Sequence, residues 1–300
     1  MNEATLSEYF AKRKIVLFDS AMGTALLAAG QPAGTGSEEM NVSSPAKVFR
    51  IHMENIMAGS DVITSNSFGV SQMLLRGEKV KGTDLLTESL TIMKRAVDTG
   101  AVHRKRVIGC LGMGPTGALL GPMGDVSYET AEDIFSSIAE EGARGGAEFI
   151  MLETFADLEE FSRAARAAKK ASGLPVIGTM TFNESGRTFM GATAADYVRE
   201  ARACGLFAIG ANCTLGPLEI TPIIESIIDI AEGLPVIAQP NAGQPVYKDG
   251  QTVYEIETED FAAGAEKLID AGVSAIGGCC GTTPEMISAV RGIIDSRRNQ

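Results

Sequence analysis

Residues 175–213 read PVIGTMTFNESGRTFMGATAADYVREARACGLFAIGANC. An almost unbroken apolar run, PVIGTMT (175–181), passes through a polar loop into ATAADYVREARACG (192–205), where charges recur at helical spacing. A second apolar run, FAIGANC (207–213), follows one residue after Gly205. Runs of Val, Ile and Phe without polar alternation are what parallel strands buried on both faces require. A helix that stops at glycine between two such strands is a βαβ unit.

The same alternation extends in both directions. Upstream lie KIVLFDS (14–20), DVITSNS (61–67), RVIGCLG (106–112) and EFIMLET (148–154); downstream lie PVIAQPN (235–241) and VSAIGGC (273–279). Amphipathic stretches such as SYETAEDIFSSIAEEGARGG (127–146), DLEEFSRAARAAKKASG (157–173), LEITPIIESIIDIAEG (218–233) and ETEDFAAGAEKLIDAG (257–272) separate them. Eight strands with helical crossovers predict a single (β/α)8 TIM barrel. An open doubly wound sheet is the competing architecture, but there is no dinucleotide fingerprint to support it. No Pro/Ser-rich linker divides the chain, so residues 1–300 are expected to form one domain. The longest irregular pieces are expected at 28–45 and 112–125, both on the C-terminal rim where barrel enzymes build their sites.

Composition narrows the function. Lys plus Arg number 26 against 38 Asp plus Glu, for a net charge of −12. A phosphate backbone or an anionic membrane surface needs a basic footprint, so neither is an expected partner. The first residues, MNEATLSEYFAKRK, are too polar for a signal peptide, and no run approaches the length of a membrane span. Five cysteines without a secreted disulfide pattern point to a reducing cytoplasm. With only two histidines, any metal site must rest on sulfur or oxygen.

The predicted strand tips carry Asp19, Asn66, Glu153, Asn212 with Cys213, Asn241, and Cys279 with Cys280. Three of the five cysteines therefore converge on one rim. Three thiolates without histidine suit Zn2+, with the fourth position left open. Gly277, Gly278 and Gly281 would let the backbone turn so that neighbouring cysteines share one ion. A vicinal redox disulfide is the alternative, and it leaves Cys213 without a role. Cys110 and Cys204 read as packing. A Zn2+ with three thiolates is a weak Lewis acid for water but a good holder of a fourth thiol, which favours alkyl transfer to sulfur. Asp19 and Glu153 could hold an ammonium group or form rim ion pairs. Asn241 could reach the metal or substrate, or simply shape a turn. Thr283, Pro284 and Glu285 read as the start of a helix. GMGPTG (112–117) lacks the residues of a phosphate loop. His52 and His103 read as structural or surface residues.

The pieces FDSAMGT (18–24), EEMN (38–41), AGSDVITSNSFG (58–69), GPTG (114–117), MLET (151–154), ANCTLGP (211–217), QPNAG (239–243) and GGCCGTTPE (277–285) carry a resemblance. In order along nearly the whole chain, they resemble the homocysteine S-methyltransferase family, most closely the homocysteine-binding module of cobalamin-dependent methionine synthases. The glycine after the cysteine pair and NAGQPVYKDGQTVY (241–254) look like that branch. The resemblance implies a zinc ion on Cys213, Cys279 and Cys280, with homocysteine sulfur as the added ligand. It also places Asp19, Asn66, Glu153 and Asn241 near the amino acid. The methyl group would come from methylcobalamin on a separate corrinoid protein, itself supplied by a methyl-donor module. Two positions depart from the family pattern: Ser20 stands for a glycine and Thr64 for an acid. Both are rim positions, so an alternative stays open in which a methylated amine or thioether is demethylated toward a corrinoid protein. A phosphate-binding barrel lyase or isomerase would need a basic residue near the last strand ends, and none is present in QPNAG or GGCCGTTPE. A zinc-binding subunit without catalysis is the remaining reading.

Overall fold

The computed structural model describes residues 1–32, 34–103, 106–248 and 251–298. Each apolar run forms a strand. In chain order these are β1 (Val16–Leu17), β2 (Val62–Thr64), β3 (Ile108–Met113), β4 (Ile150–Phe155), β5 (Val176–Met180), β6 (Ala208–Asn212) and β7 (Val236–Gln239). Two short strands follow, β8 (Val246–Lys248) and β9 (Gln251–Val253), before β10 (Ala275–Ile276) supplies the last member of the main sheet. The eight strands lie in the order β1-β10-β7-β6-β5-β4-β3-β2 and pair in parallel, while β8 and β9 form a separate antiparallel hairpin.

The sheet comes back on itself where β1 meets β2. One backbone bond joins them, from Asp61 N–H to the Leu17 carbonyl at 2.6 Å. Two carboxylates extend the seam. Asp61 Oδ2 accepts the Leu17 N–H at 3.0 Å, and Asp19 Oδ2 accepts the Thr64 N–H at 2.8 Å. The result is a nearly closed (β/α)8 barrel, as the alternation predicts.

Two apolar layers hold it. Inside, Val16, Phe18, Val62, Ile108, Phe149 and Ile177 meet Leu6 and Phe10 of the helix Glu3–Arg13, which plugs the N-terminal end. Outside, the rings of Phe135, Phe155, Phe161, Tyr197 and Phe182 form a continuous line with centroids 5.3–6.2 Å apart. Aromatic contacts of this kind contribute about 0.5–1.5 kcal/mol each beyond area burial. Cys110 belongs to the inner layer and Cys204 to the outer one, matching their reading as packing.

Local signals set where helices begin and end. Thr193 and Asp196 form a reciprocal capping box at the helix Ala194–Ala203, and Asp157 caps Leu158–Ser172 by accepting the Glu159 N–H at 2.8 Å. Expected irregular segment 112–125 starts two residues late, because Gly112 and Met113 still pair with Met151 and Leu152. Segment 28–45 is partly ordered into the turns Ser37–Glu39 and Met40–Ser43. His52 is wholly buried in the helix Pro45–Ala58, with neither ring nitrogen hydrogen-bonded among the described residues. His103 ends the helix Lys79–His103. Residues 249 and 250 of the 241–254 motif lie outside the described residues.

Candidate metal and substrate site

The three rim thiols meet. Cys213 Sγ lies 3.9 Å from Cys280 Sγ, Cys279 Sγ lies 4.0 Å from Cys280 Sγ, and all three fall within 4.8 Å of one another. They are close enough to share one metal ion.

Backbone contacts between distant segments place each of them. Just past β6, Cys213 turns into the left-handed region at φ 63, as does Thr214 at φ 64. For non-glycine residues this costs on the order of 1–3 kcal/mol, which surrounding contacts must offset. One such contact is the Cys213 N–H donated to the Gln239 carbonyl at 3.1 Å. Cys279 N–H donates to Pro240 O at 2.8 Å, and Cys280 O accepts the Ala242 N–H at 2.9 Å. The exits of β6, β7 and β10 are thus keyed to one another at the cysteines themselves.

The flanking glycines divide their work. Gly281 adopts φ +80, the bend that glycine permits. Gly277 and Gly278 do not need positive φ; they admit close neighbours. A Cβ on Gly277 would fall 2.6 Å from Phe18 Cβ, and one on Gly278 would fall 2.6 Å from Thr282 Cβ. Thr282 does more than precede a helix. Its hydroxyl donates to Cys279 O at 2.7 Å and accepts the Ala21 N–H at 3.1 Å, tying the cysteine turn to the β1 exit. Thr283 behaves as read, accepting the Met286 N–H at 3.4 Å at the head of Pro284–Arg298.

Asn212, the last residue of β6, is a hub that sequence reasoning noted only as a strand tip. Its Oδ1 accepts the Thr154 N–H at 2.9 Å and the Thr179 hydroxyl at 2.8 Å. Its Nδ2 donates to Thr154 Oγ1 at 2.8 Å and approaches Cys279 Sγ at 3.8 Å. Thr154 itself sits at φ 63. The Asn212 side chain therefore stabilises one strained turn and touches a thiol of the next.

The thiols line a cavity of about 300 Å³ together with Asp19, Ser20, Asn66, Glu153 and Gln239. No lysine, arginine or histidine is among its described lining residues. Asp19 spends both oxygens on Thr64, with Oδ1 accepting the Thr64 hydroxyl at 3.1 Å beside the bond to its N–H. Burial pushes the Asp19 carboxyl up to about 7 despite those bonds. Glu153 makes no side-chain hydrogen bond among the described residues; burial first, then the Asp19 charge, pushes it up to about 8. Hydrogen bonds from Cys213 and Cys279 hold the Cys280 thiol well below its ordinary value. Cys279, bonded by Cys213 and Cys280 and buried, is pushed up. The trio therefore favours one thiolate that its neighbours' thiols solvate.

Six of the seven expected site residues line this cavity. Asn66 helps shape its wall through Nδ2, which donates to Ser37 O at 2.7 Å and Asn41 Oδ1 at 2.9 Å. Asn241 is the exception. It is buried, its N–H donates to Leu215 O at 2.9 Å, and its Oδ1 has no partner among the described residues. Ser20 Oγ and Gln239 Oε1, both on the cavity lining, are likewise buried without partners. Unpaired buried acceptors are rare enough to mark where a ligand completes the bonding.

A parallel barrel whose mouth gathers three thiols and two neutral-leaning carboxyls defines an enzyme built to handle sulfur. The profile of the homocysteine S-methyltransferase family matches residues 16–294, and the chain belongs to that family, placing it among the methyltransferases. The methionine synthase of Mycobacterium leprae is 30% identical over 304 residues, covering 96% of this chain but 25% of that protein. The chain thus spans about a quarter of the length of the methionine synthase it matches. The selenocysteine Se-methyltransferase of Brassica oleracea var. italica is 27% identical, covering 86% of this chain and 82% of that protein. In fold, the metallated homocysteine methyltransferase MmuM of Escherichia coli superposes with a TM-score of 0.81 at 21% identity, covering 96% of this chain and 99% of that one.

Proposed function

We propose that the protein is a zinc-dependent S-methyltransferase whose acceptor is homocysteine, with residues 1–300 acting as one homocysteine-binding barrel domain. The observation that carries this reading is the spacing of the three thiols. Zinc–sulfur bonds of about 2.3 Å in a tetrahedron put sulfurs about 3.8 Å apart. The separations of 3.9 and 4.0 Å need little adjustment to hold Zn2+ on Cys213, Cys279 and Cys280. When bound, the metal would supply the positive centre that keeps an added thiol deprotonated as a nucleophile.

The chain's own residues account for the rest. Glu153, with no hydrogen-bond partner among the described residues, is the group available to receive the ammonium of an amino acid, with Asp19 beside it. The acceptors of Ser20 and Gln239, unpaired among the described residues, can take further hydrogen bonds from that ammonium. Asn66 and Asn41 keep the wall in place, and Asn241 lies between Pro240 and Ala242, whose backbone groups bond Cys279 and Cys280, within reach of the substrate or the metal in this reading. The reacting methyl would come from methylcobalamin carried by a separate corrinoid protein, fed by a methyl-donor module. Exposed Leu119, Met123, Phe189, Met190, Leu218 and Tyr247 stand in or next to the strand-to-helix connections around the cavity mouth. An apolar rim of this kind suits the docking of a protein donor. No helix among the described residues is long and apolar enough to cross a membrane. A reducing cytoplasm would keep all five cysteines free, as they are here.

The purified protein is expected to carry about one zinc per chain and to release a proton when homocysteine is added. Methionine should form from homocysteine and methylcobalamin. Full activity without zinc would exclude this mechanism. The absence of basic residues from the described lining also favours a cationic methylated substrate, which supports demethylation toward a corrinoid protein as the second reading. Methyl transfer from methylated amines or thioethers to cob(I)alamin, with no methionine from the first assay, would select it.

A further inference from the structure

Gln239 closes β7, paired in parallel register with Asn212 at the tip of β6. Reading QPNAG as sequence singles out Asn241 and passes over this residue, whose two halves do different work. The backbone carbonyl accepts the Cys213 N–H at 3.1 Å and so anchors one of the three thiols. The side chain is buried on the lining of the cavity. Its Oε1 has no partner, and its Nε2 makes no hydrogen bond among the described residues.

A buried primary amide has an acceptor and two N–H donors to satisfy, and leaving them unmet is costly. The other amide on the lining is Asn66, whose Nδ2 is spent on Ser37 O at 2.7 Å and Asn41 Oδ1 at 2.9 Å. Gln239 lies close to the β1 exit. A Cβ added to Gly277 would fall 3.4 Å from Gln239 Cγ and 3.3 Å from Asp19 O. An unspent donor and an unspent acceptor thus stand together on the wall of a cavity whose described lining holds no cation for a carboxylate.

We propose that Gln239 is a specificity-determining residue that reads both charged groups of an amino acid at once, Oε1 accepting from the ammonium and Nε2 donating to the carboxylate. This rests on the reading of homocysteine as the acceptor. An amide carries acceptor and donor on one carbon, as an amino acid carries carboxylate and ammonium on one carbon, so the two meet edge to edge. The substrate class narrows to a thiol that bears both groups. A substrate without a carboxylate leaves Nε2 unmet, and sites built to bond a polar group reject analogues that lack it. Because the carbonyl of the same residue holds Cys213, the amino-acid head and the thiol site are fixed relative to each other.

The test compares L-homocysteine with homocysteamine, its analogue without the carboxylate, by titration calorimetry of the zinc-loaded protein. The unmutated protein should prefer homocysteine. Gln239→Leu removes both contacts, but the ammonium contact is common to the two ligands and cancels in the ratio of their affinities. Gln239→Glu keeps an acceptor for the ammonium and sets a negative charge against the carboxylate. The preference should fall about 10-fold or more in each variant. General loosening of the fold would weaken both ligands alike. No preference in the unmutated protein, or an unchanged ratio in the variants, would therefore overturn the proposal. Failure of the unmutated, zinc-loaded protein to bind homocysteine would instead overturn the reading on which it stands.

Discussion

Asp19 and Thr64 are joined twice, from the Thr64 N–H to Oδ2 at 2.8 Å and from its hydroxyl to Oδ1 at 3.1 Å. The carboxylate expected to face the substrate is therefore also a clasp on the seam between the first and second strands. Asp19→Ala would strand the Thr64 N–H in a buried place, costing about 1–3 kcal/mol. Asp19→Asn retains one acceptor and should cost less. Because the chain has no tryptophan, urea unfolding followed by circular dichroism is the suitable measurement. Equal stability of Asp19→Ala and the unmutated protein would show that the clasp does not hold the seam.

Glu153 makes the pH dependence of folding specific. Its folded value of about 8 stands above the ordinary carboxyl value of 4.5 that applies to the unfolded chain. A group raised on folding contributes stability fully below its unfolded value, and that contribution is lost as pH rises through the folded one. Stability from Glu153 should thus decline between about pH 4.5 and 8. Glu153→Gln cannot ionise, so its advantage over the unmutated protein should grow across that window. The same change should raise KM for homocysteine about tenfold, the loss of one charged hydrogen bond, with a smaller effect on kcat.

His52 acts in the opposite direction. Burial lowers it from 6.5 to about 4. The unfolded chain takes up a proton below pH 6.5 that the folded one resists until about 4, so stability is full above 6.5 and falls as pH drops through that interval. The loss should be on the order of 3 kcal/mol over the window. His52→Leu should move the acid-unfolding midpoint to lower pH, and an unmoved midpoint would argue against His52 as the source.

Gly281→Ala should be severe for the site and moderate for the fold. The added methyl meets the Tyr254 ring and adopts a left-handed φ, together costing about 1–3 kcal/mol. Displacement of Cys280 should release the metal while far-UV circular dichroism stays near that of the unmutated protein. Retention of a full zinc complement with unchanged stability would contradict the crowding seen here.

Much of the architecture was legible because its cause is local. A strand buried on both faces must be apolar throughout, so PVIGTMT and FAIGANC announce themselves, as do the capping residues Asp157 and Thr193. The cysteines were legible for a related reason: strand ends in a parallel barrel share one rim, so Cys213, Cys279 and Cys280 were bound to approach each other. Partners drawn from remote segments were not legible. Reading Thr283, Pro284 and Glu285 as a helix start left out Thr282, whose bonds to Cys279 and Ala21 depend on how the β10 exit lies against β1. Asn212 and Thr154 are 58 residues apart and meet only through the register of β4, β5 and β6. Tyr254 carries no signal of its own, since its importance comes from lying against Gly281.

By itself, the order of residues determined the eight-fold alternation, the rim on which the chemistry sits and the sulfur character of that rim, because hydrophobic periodicity and residue type are properties of short segments. Only the tertiary structure decided which carboxyl is spent on the seam, that Asn241 is buried off the cavity lining, and that Cys213 turns left-handed without a glycine. These are outcomes of close packing, where a side chain's role is set by what a distant segment leaves unsatisfied beside it.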